Sequence, residues 1–435
     1  MESQDLKQRH VSVPVPIPDL GAGIKEESKV EGDHPAGDIR HGGPKQLLRM
    51  CLFAAYFWSC CFTISATQAL GVPLYWINKD WFYAYMALTK QSFGLLVTTM
   101  TQWWSPTVVR INGDESVSGQ LRQTEDGRVE CNFPDRLVLM ANHQLYTDWL
   151  YLWWVAYTNK PQMHGHIYII LKESLRYIPI IGPGIMFFGF VFMSRKIETD
   201  KPRLAHRLQQ LKSKHSGPMS GTAGYDPMWF LIFPEGTNLS NNGRAKSAQW
   251  AEKIGIPDMR HQMIPRTTGL FYCLNELKGT VDWVYDCTMF YEGVPRGKYG
   301  QDFFSLRSIY FQGRPPKSVN LYWRRIAISD IPLDDTEEFD RWLKGQWRTK
   351  DELMEQCLQH GRFPPSNDIE IHTKDANDGR LHRRTGQYIE TEVKQAHWWE
   401  FTKIFMVLGT FGLVANILAK MWNVVLYGTA SGYKH

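Results

Sequence analysis

From Cys51 to Asn78 the chain carries no charged residue. That run exceeds the ~20 residues an α-helix needs to cross the hydrocarbon core of a bilayer. A second apolar stretch begins at Trp81, is interrupted by Lys90, and continues uncharged from 91 to 109. The two can pair as a membrane hairpin; equally, Gln91, Ser92, Thr98, Thr99 and Gln102 suit the second to a helix lying at the interface. Lys45 and Arg49, ahead of the first run, favour a cytosolic N-terminus. Near the other end 404–419 is uncharged, and after Lys420 a further uncharged run reaches Gly432, enough for one transmembrane helix or two. The intervening chain is therefore expected to fold as a domain anchored on both sides.

Five regions follow. Residues 1–45 are rich in Pro, Gly and charge and lack periodicity, as a disordered tail does. The N-terminal membrane segments occupy 46–110, a folded domain 111–360, a polar and loop-like linker 361–400, and a C-terminal membrane segment 401–435. Within the domain, short apolar runs at 137–140, 166–171, 191–193, 229–233 and 281–285 read as strands. Helical patterns at 149–158, 203–212 and 338–359 alternate with them, which predicts an α/β domain, a mixed sheet flanked by helices. The uncharged stretch 177–193 is broken by Gly182-Pro183-Gly184. It is expected as a buried strand pair or an apolar surface against the membrane, not as a span.

Composition excludes several classes. A net charge of +5 is too small and diffuse for a nucleic-acid binder. The seven cysteines are odd in number and scattered without a C-x-x-C, which argues against a disulfide framework or a zinc site. His164-Gly165-His166 is the nearest approach to a metal-ligand pair, and no acid or thiol cluster accompanies it. No metal is expected. The 17 Trp, 19 Tyr and 22 Phe suit a membrane interface or a large aromatic core equally.

Two polar blocks follow predicted core strands. The first is Asn142-His143-Gln144-Leu145-Tyr146-Thr147-Asp148, the second Phe233-Pro234-Glu235-Gly236-Thr237. On a continuous helix, residues five apart point ~140° away from each other. His143 and Asp148 can meet only if the histidine lies in a strand-to-helix turn and the aspartate in the first helical turns. Asp148 then fixes the imidazole tautomer while the other ring nitrogen takes a proton. Alone, H-x4-D is expected about once by chance in such a chain. The second block is far rarer. Between them Gly189-Phe190-Val191-Phe192-Met193-Ser194-Arg195 places an arginine at a strand end, where its planar fork suits phosphate or carboxylate, Glu235 included.

In this order the blocks resemble the phospholipid/glycerol acyltransferase family. Its pattern is N-H-x4-D, then G-x-x-F-x-x-R, then Phe or Leu before P-E-G and Thr or Ser, then an apolar-proline motif. The last is Met263-Ile264-Pro265 here, departing from the wider V-P form and continuing as Arg266-Thr267-Thr268-Gly269. That continuation, with Val284-Tyr285-Asp286-Cys287-Thr288 and Ile331-Pro332-Leu333-Asp334, is similar to the eukaryotic branch containing 1-acylglycerol-3-phosphate, lysocardiolipin and lysophosphatidylinositol acyltransferases. The resemblance covers about 130–362 and does not inform 290–320.

It implies a membrane-bound O-acyltransferase with His143 and Asp148 catalytic. Asn142, Gly189, Phe192, Arg195, Glu235, Gly236 and Thr237 would line the acceptor site, with Pro265 near the acyl donor. His143 would deprotonate a lysophospholipid hydroxyl that attacks the thioester of acyl-CoA, a co-substrate, with no cofactor. The absence of a G-x-S-x-G elbow or a cysteine beside the histidine agrees with direct transfer. The basic run through Lys196, Lys201, Arg203 and Arg207 either meets CoA phosphates or is a solvated helix face. Because CoA is cytosolic, the domain is expected to face the cytosol, on the endoplasmic reticulum. Other readings stay open: a glycerol-3-phosphate acceptor, a CoA-independent transacylase, a non-catalytic lipid-binding membrane protein, or a metal-dependent hydrolase.

Overall fold

The structure is a computed structural model and describes residues 34–194, 197–366, 368–374 and 381–428. Most of the expected tail, 1–33, lies outside the described residues. Its last residues are docked rather than loose. The His34 ring nitrogen Nε2 is 2.9 Å from both Phe303 O and Ser308 Oγ, and the Arg40 and His41 N–H groups donate to Gln312 O.

Helix α1 (Gly43–Gly71) turns through the short α2 (Leu74–Ile77) into α3 (Lys79–Trp104), which Asn78 caps by accepting from Asp80 N and Trp81 N. The two long helices are antiparallel neighbours, with Gln68 bonded to Thr89 and Arg49 to Trp104 O. Phe82, Met86, Leu95, Leu96, Val97 and Met100 of α3 are buried, so the second apolar stretch is a core helix of the domain. Lys90 explains why. Its Nζ donates to Ile167 O at 3.0 Å and lies 3.8 Å from the Tyr168 ring centre, partners that lipid does not supply. The polar Thr99 and Gln102 of α3 hold the backbone and side chain of Gln395. Two helical stretches, Gly43–Ile77 and Glu400–Trp422, are long and apolar enough to cross a membrane.

Strands β1 (Val108–Gly113), β2 (Leu121–Gln123), β3 (Val129–Cys131), β4 (Arg136–Ala141), β5 (Ile167–Lys172), β6 (Val191–Met193), β7 (Met228–Ile232), β8 (Trp283–Tyr291), β9 (Val319–Ala327), β10 (Ile369–Lys374), β11 (Leu381–Gly386) and β12 (Ile389–Glu392) form two sheets. The larger has the order β12-β1-β9-β8-β4-β7-β5-β6, parallel from β8 through β6, with β9 antiparallel to β8 and β12 antiparallel to β1. The smaller has the order β11-β10-β2-β3.

Central strands β4 and β7 are apolar on both faces because helices cover both. Leu137, Leu139, Trp229 and Leu231 pack with α3 and α4 (Asp148–Thr158). Their alternates Val138, Met140, Phe230 and Ile232 pack with α6 (Ile197–Leu211), α8 (Thr267–Leu277) and α10 (Thr336–His360). The latter helix starts at Asp335, which accepts from Glu337 N and Glu338 N, and stops at Gly361 with φ +74. Helices α5 (Ile181–Phe187), α7 (Asn241–Lys253), α9 (Gly300–Phe303) and α11 (Lys403–Gly428) complete the chain. The arrangement is the expected α/β one, a mixed sheet with flanking helices and an apolar helix towards each end.

Two further expectations need correction. The stretch 177–193 is not a strand pair. It is a 3-10 turn, α5 and the single strand β6, with Pro183 in the first turn of α5, where a missing N–H costs nothing. The stretch 361–400 is not loop-like, since it carries β10, β11 and β12. Its polar residues alternate with apolar ones: in β12, Ile389 and Thr391 are buried while Glu390 and Glu392 face outward. That is how an edge strand with one wet face reads.

Candidate active site

The first polar block sits at the C-terminal end of β4, as a strand-to-helix turn. Asp148 is the first residue of α4 and is fully buried; His143 is one-fifth exposed. His143 Nδ1 lies 2.8 Å from Asp148 Oδ2. A carboxylate offers only acceptors, so Nδ1 carries the proton and Nε2 presents a lone pair. Asp148 Oδ2 also accepts from Gln144 N at 2.6 Å and Leu145 N at 3.0 Å, and Oδ1 from the Tyr291 hydroxyl at 2.6 Å. Four donors thus hold the carboxylate in one orientation. The His143 ring stacks on Phe233, centres 4.4 Å apart and planes 25° apart.

The second block is brought to the first by strand register. Met140 pairs with Ile232 in the β4–β7 ladder; three residues beyond each stand His143 and Glu235. Glu235 Oε1 accepts from His143 N at 2.9 Å and Oε2 from Met263 N at 3.2 Å. The same loop returns a bond, Leu239 N donating to His143 O at 2.8 Å. Glu235 is therefore a clasp that ties the histidine loop to the Met263-Ile264-Pro265 loop. It is 2% exposed, and burial pushes its carboxyl up to about 7 against the pull of the two N–H donors. Gly236 has φ +75, a backbone conformation that suits glycine.

The remaining expected residues divide. Asn142 is fully buried and engages Met289 on β8 at both ends of its amide, Nδ2 to Met289 O at 3.0 Å and Met289 N to Oδ1 at 2.7 Å. It continues the ladder past the end of β4, with both ends of its amide taken by the Met289 backbone. Thr237 is half-buried beside Gly236, and Pro265 is buried next to Ile264, whose N–H donates to Ser247 Oγ. Gly189, with φ +73, and Phe192 lie on the β6 edge, three strands and about 14 Å across the sheet from β4. Arg195, expected at the end of this strand, lies outside the described residues, as does Lys196. Of the basic run, Arg203 pairs with Glu173 at 2.6 Å, and the Arg207 guanidinium covers Gly189. His164 and His166 are core residues remote from this end of the sheet, lowered to about 3 and about 4 by burial.

Three contributors had no role assigned from the sequence. Tyr291 reaches Asp148 from across the sheet, and Phe233 supplies the ring beneath His143. The segment after β8 folds back over the Glu235 turn, where Asn238 Nδ2 donates to Gln301 Oε1 at 2.7 Å. Only Phe233 had a local signal, its place just before Pro234. An imidazole with one nitrogen fixed by a buried carboxylate and a ring one-fifth exposed is equipped to remove a proton from a hydroxyl.

Comparison with known proteins agrees. The family model described as Acyltransferase matches residues 123–290, and one described as Acyltransferase C-terminus matches 310–385. The chain is 34% identical over 360 residues to an uncharacterized acyltransferase of Schizosaccharomyces pombe, covering 83% of this chain and 93% of that protein. It is 35% identical to a 2-acyl-1-lysophosphatidylinositol acyltransferase of Saccharomyces cerevisiae, covering 71% and 83% respectively. It is 28% identical to the 1-acyl-sn-glycerol-3-phosphate acyltransferase delta of Homo sapiens, covering 73% and 76%. With both polar blocks inside the matched region, the chain belongs to the acyltransferase family and is an acyltransferase.

Proposed function

We propose that this acyltransferase uses acyl-CoA to acylate the free hydroxyl of a lysophospholipid, of the lysophosphatidic acid or lysophosphatidylinositol type. The observation that carries the reading is the 2.8 Å bond from His143 Nδ1 to Asp148, which leaves Nε2 as the base. Nε2 takes the hydroxyl proton as the oxygen attacks the thioester carbonyl; Asp148 faces the imidazolium that forms. Collapse of the tetrahedral intermediate breaks the carbon–sulfur bond, and CoA thiolate leaves. Thiolate is a good leaving group, so no strong general acid is required. Names of the relatives support the acceptor class.

The membrane side of the reading rests on apolar surface. Leu47, Leu48, Leu52, Trp58 and Phe62 of α1 are exposed, as are Phe411, Leu413, Leu418 and Trp422 of α11. Such a surface at a bilayer keeps both acyl chains in lipid, where exposing each CH₂ to water costs about 0.8 kcal/mol. CoA then approaches from the cytosolic side, and the endoplasmic reticulum is the proposed location. Arg195 is proposed to meet the acceptor phosphate, with Gly189, Phe192, Gly236 and Thr237 lining its site and Pro265 lying near the acyl donor.

The test is transfer of radiolabelled acyl groups from acyl-CoA by purified protein in detergent. The acceptor panel holds lysophosphatidic acid, lysophosphatidylinositol and lysocardiolipin, with His143→Ala alongside. Transfer by wild type and none by the variant is expected. Equal transfer by both, or transfer to no acceptor, sinks the reading.

A further inference from the structure

Arg266 follows Pro265 at the start of α8, and the chemistry above does not employ it. Its backbone N–H donates to Pro234 O at 2.8 Å, which lays the residue beside the turn ending β7. Its side chain then covers Gly236. A Cβ built on that glycine would lie 3.4 Å from Arg266 Cδ and Nε and 3.7 Å from Cζ. The neighbouring residues of this turn are those that hold His143, through Glu235 Oε1 and Leu239 N. The guanidinium thus stands on the loop that cradles the base.

No acid claims it. Glu235 turns both oxygens to the backbone of His143 and Met263. Asp340, close to α8, receives the Thr267 hydroxyl and Lys344. Other arginines in the domain are neutralised: Arg244 by Asp258, Arg260 by Asp351, Arg296 by Glu355 and Arg324 by Asp286. Among the described residues Arg266 alone of these five has neither an ion-pair nor a hydrogen-bond partner for its side chain, and it is exposed. An unpaired planar fork on the turn that holds the His143 loop is suited to a two-pronged contact with phosphate oxygens.

Building on the acyl-transfer reading, we propose that Arg266 binds a substrate phosphate beside the Glu235-Gly236 turn that holds the His143 loop. Two sources carry that chemistry, the headgroup of the acceptor and the phosphates of CoA. Initial rates would be measured for wild type, Arg266→Ala and Arg266→Lys. Each acceptor arm pairs lysophosphatidic acid with uncharged monoacylglycerol, and each donor arm pairs acyl-CoA with phosphate-free acyl-pantetheine. Loss of one charge-assisted contact should raise the relevant KM roughly 10- to 100-fold in Arg266→Ala, with partial recovery in Arg266→Lys. A rise confined to lysophosphatidic acid assigns the contact to the acceptor; a rise confined to acyl-CoA assigns it to the donor. Unchanged KM for all four overturns the proposal while wild-type transfer leaves the acyl-transfer reading standing. Calorimetric titration of the same proteins with lysophosphatidic acid and with CoA reads binding without turnover. A wild type that binds without transferring removes that reading, and the difference between wild type and variant still decides Arg266.

Discussion

Tyr291 donates its hydroxyl to Oδ1 of Asp148 at 2.6 Å, the oxygen that His143 does not use. Both side chains are buried, so the bond is not shared with water. Tyr291→Phe keeps the ring packing against Tyr151 and Phe304 but strands a buried carboxylate oxygen. The expected result is a kcat lowered roughly tenfold with KM unchanged, and a stability loss of about 1–3 kcal/mol. Steady-state kinetics and thermal unfolding check it; full kcat with lowered stability would make Tyr291 a packing residue only.

Asp148→Asn changes which ring nitrogen carries the proton. The amide can place its NH₂ where Oδ2 stands, facing His143 Nδ1 and the N–H groups of Gln144 and Leu145 that all donate to that oxygen, or turn it to the Tyr291 hydroxyl. Facing Nδ1, it moves the imidazole proton to Nε2 and removes the base. Turnover should fall about 10⁴-fold with substrate binding retained, as when the wrong tautomer is imposed on a catalytic histidine. Loss of turnover that any added base reverses fully would point elsewhere.

Glu235 gives the protein a pH signature. Its carboxyl titrates near 7 in the fold against an ordinary 4.5, because burial disfavours the charge. The folded state therefore binds the proton more tightly than the unfolded chain does. Glu235 favours folding fully below pH 4.5 and loses that contribution as pH rises to about 7, a change on the order of 3 kcal/mol. Glu235→Gln should flatten stability across this window in chemical denaturation at stepped pH. It should also lower activity at every pH, since an amide cannot accept from both His143 N and Met263 N. A variant that keeps the wild-type slope would show that another group titrates.

A buried ion pair elsewhere governs stability instead. Lys350 on α10 contacts Asp286 on β8 at 2.5 Å, both fully buried, and Arg324 approaches the other Asp286 oxygen. Lys350 also donates to Cys287 O at 2.7 Å. Asp286→Ala leaves the lysine without its counter-charge and should cost about 3–5 kcal/mol, read by denaturant midpoint. Adding Lys350→Met should recover only part of that loss, because Arg324 still lacks its acid; no recovery would contradict the ion-pair account.

How much of this was legible in the chain varied with distance along it. His143 and Glu235 were visible because each follows a continuous apolar strand, and register alone then sets them side by side. The His143–Asp148 bond spans one turn, so local geometry sufficed. Tyr291 meets Asp148 across the β4–β8 pairing, which no local pattern announces. Asn142 had a role only through the family resemblance, and its pairing with the backbone of Met289 across the sheet had no local signal. The strands between 361 and 400 were hidden by their wet faces, where composition resembles a linker. Lys90 looked like an interruption in a membrane segment, whereas its carbonyl and aromatic partners belong to the domain core.

Helix α1 touches the catalytic body at both ends. Arg49 donates to Trp104 O and Tyr310 O, and Gln68 to Gly184 O, with about 28 Å of helix between them. Its exposed apolar flank therefore runs alongside the domain for its whole length instead of leading away from it. A lipid leaving the bilayer past that flank would meet the protein sideways, without crossing water. Under the proposed lysophospholipid reading, the search for such an acceptor would be two-dimensional. Its effective concentration is then a surface density, so dilution with inert lipid at constant bulk acceptor should slow the enzyme as depletion does.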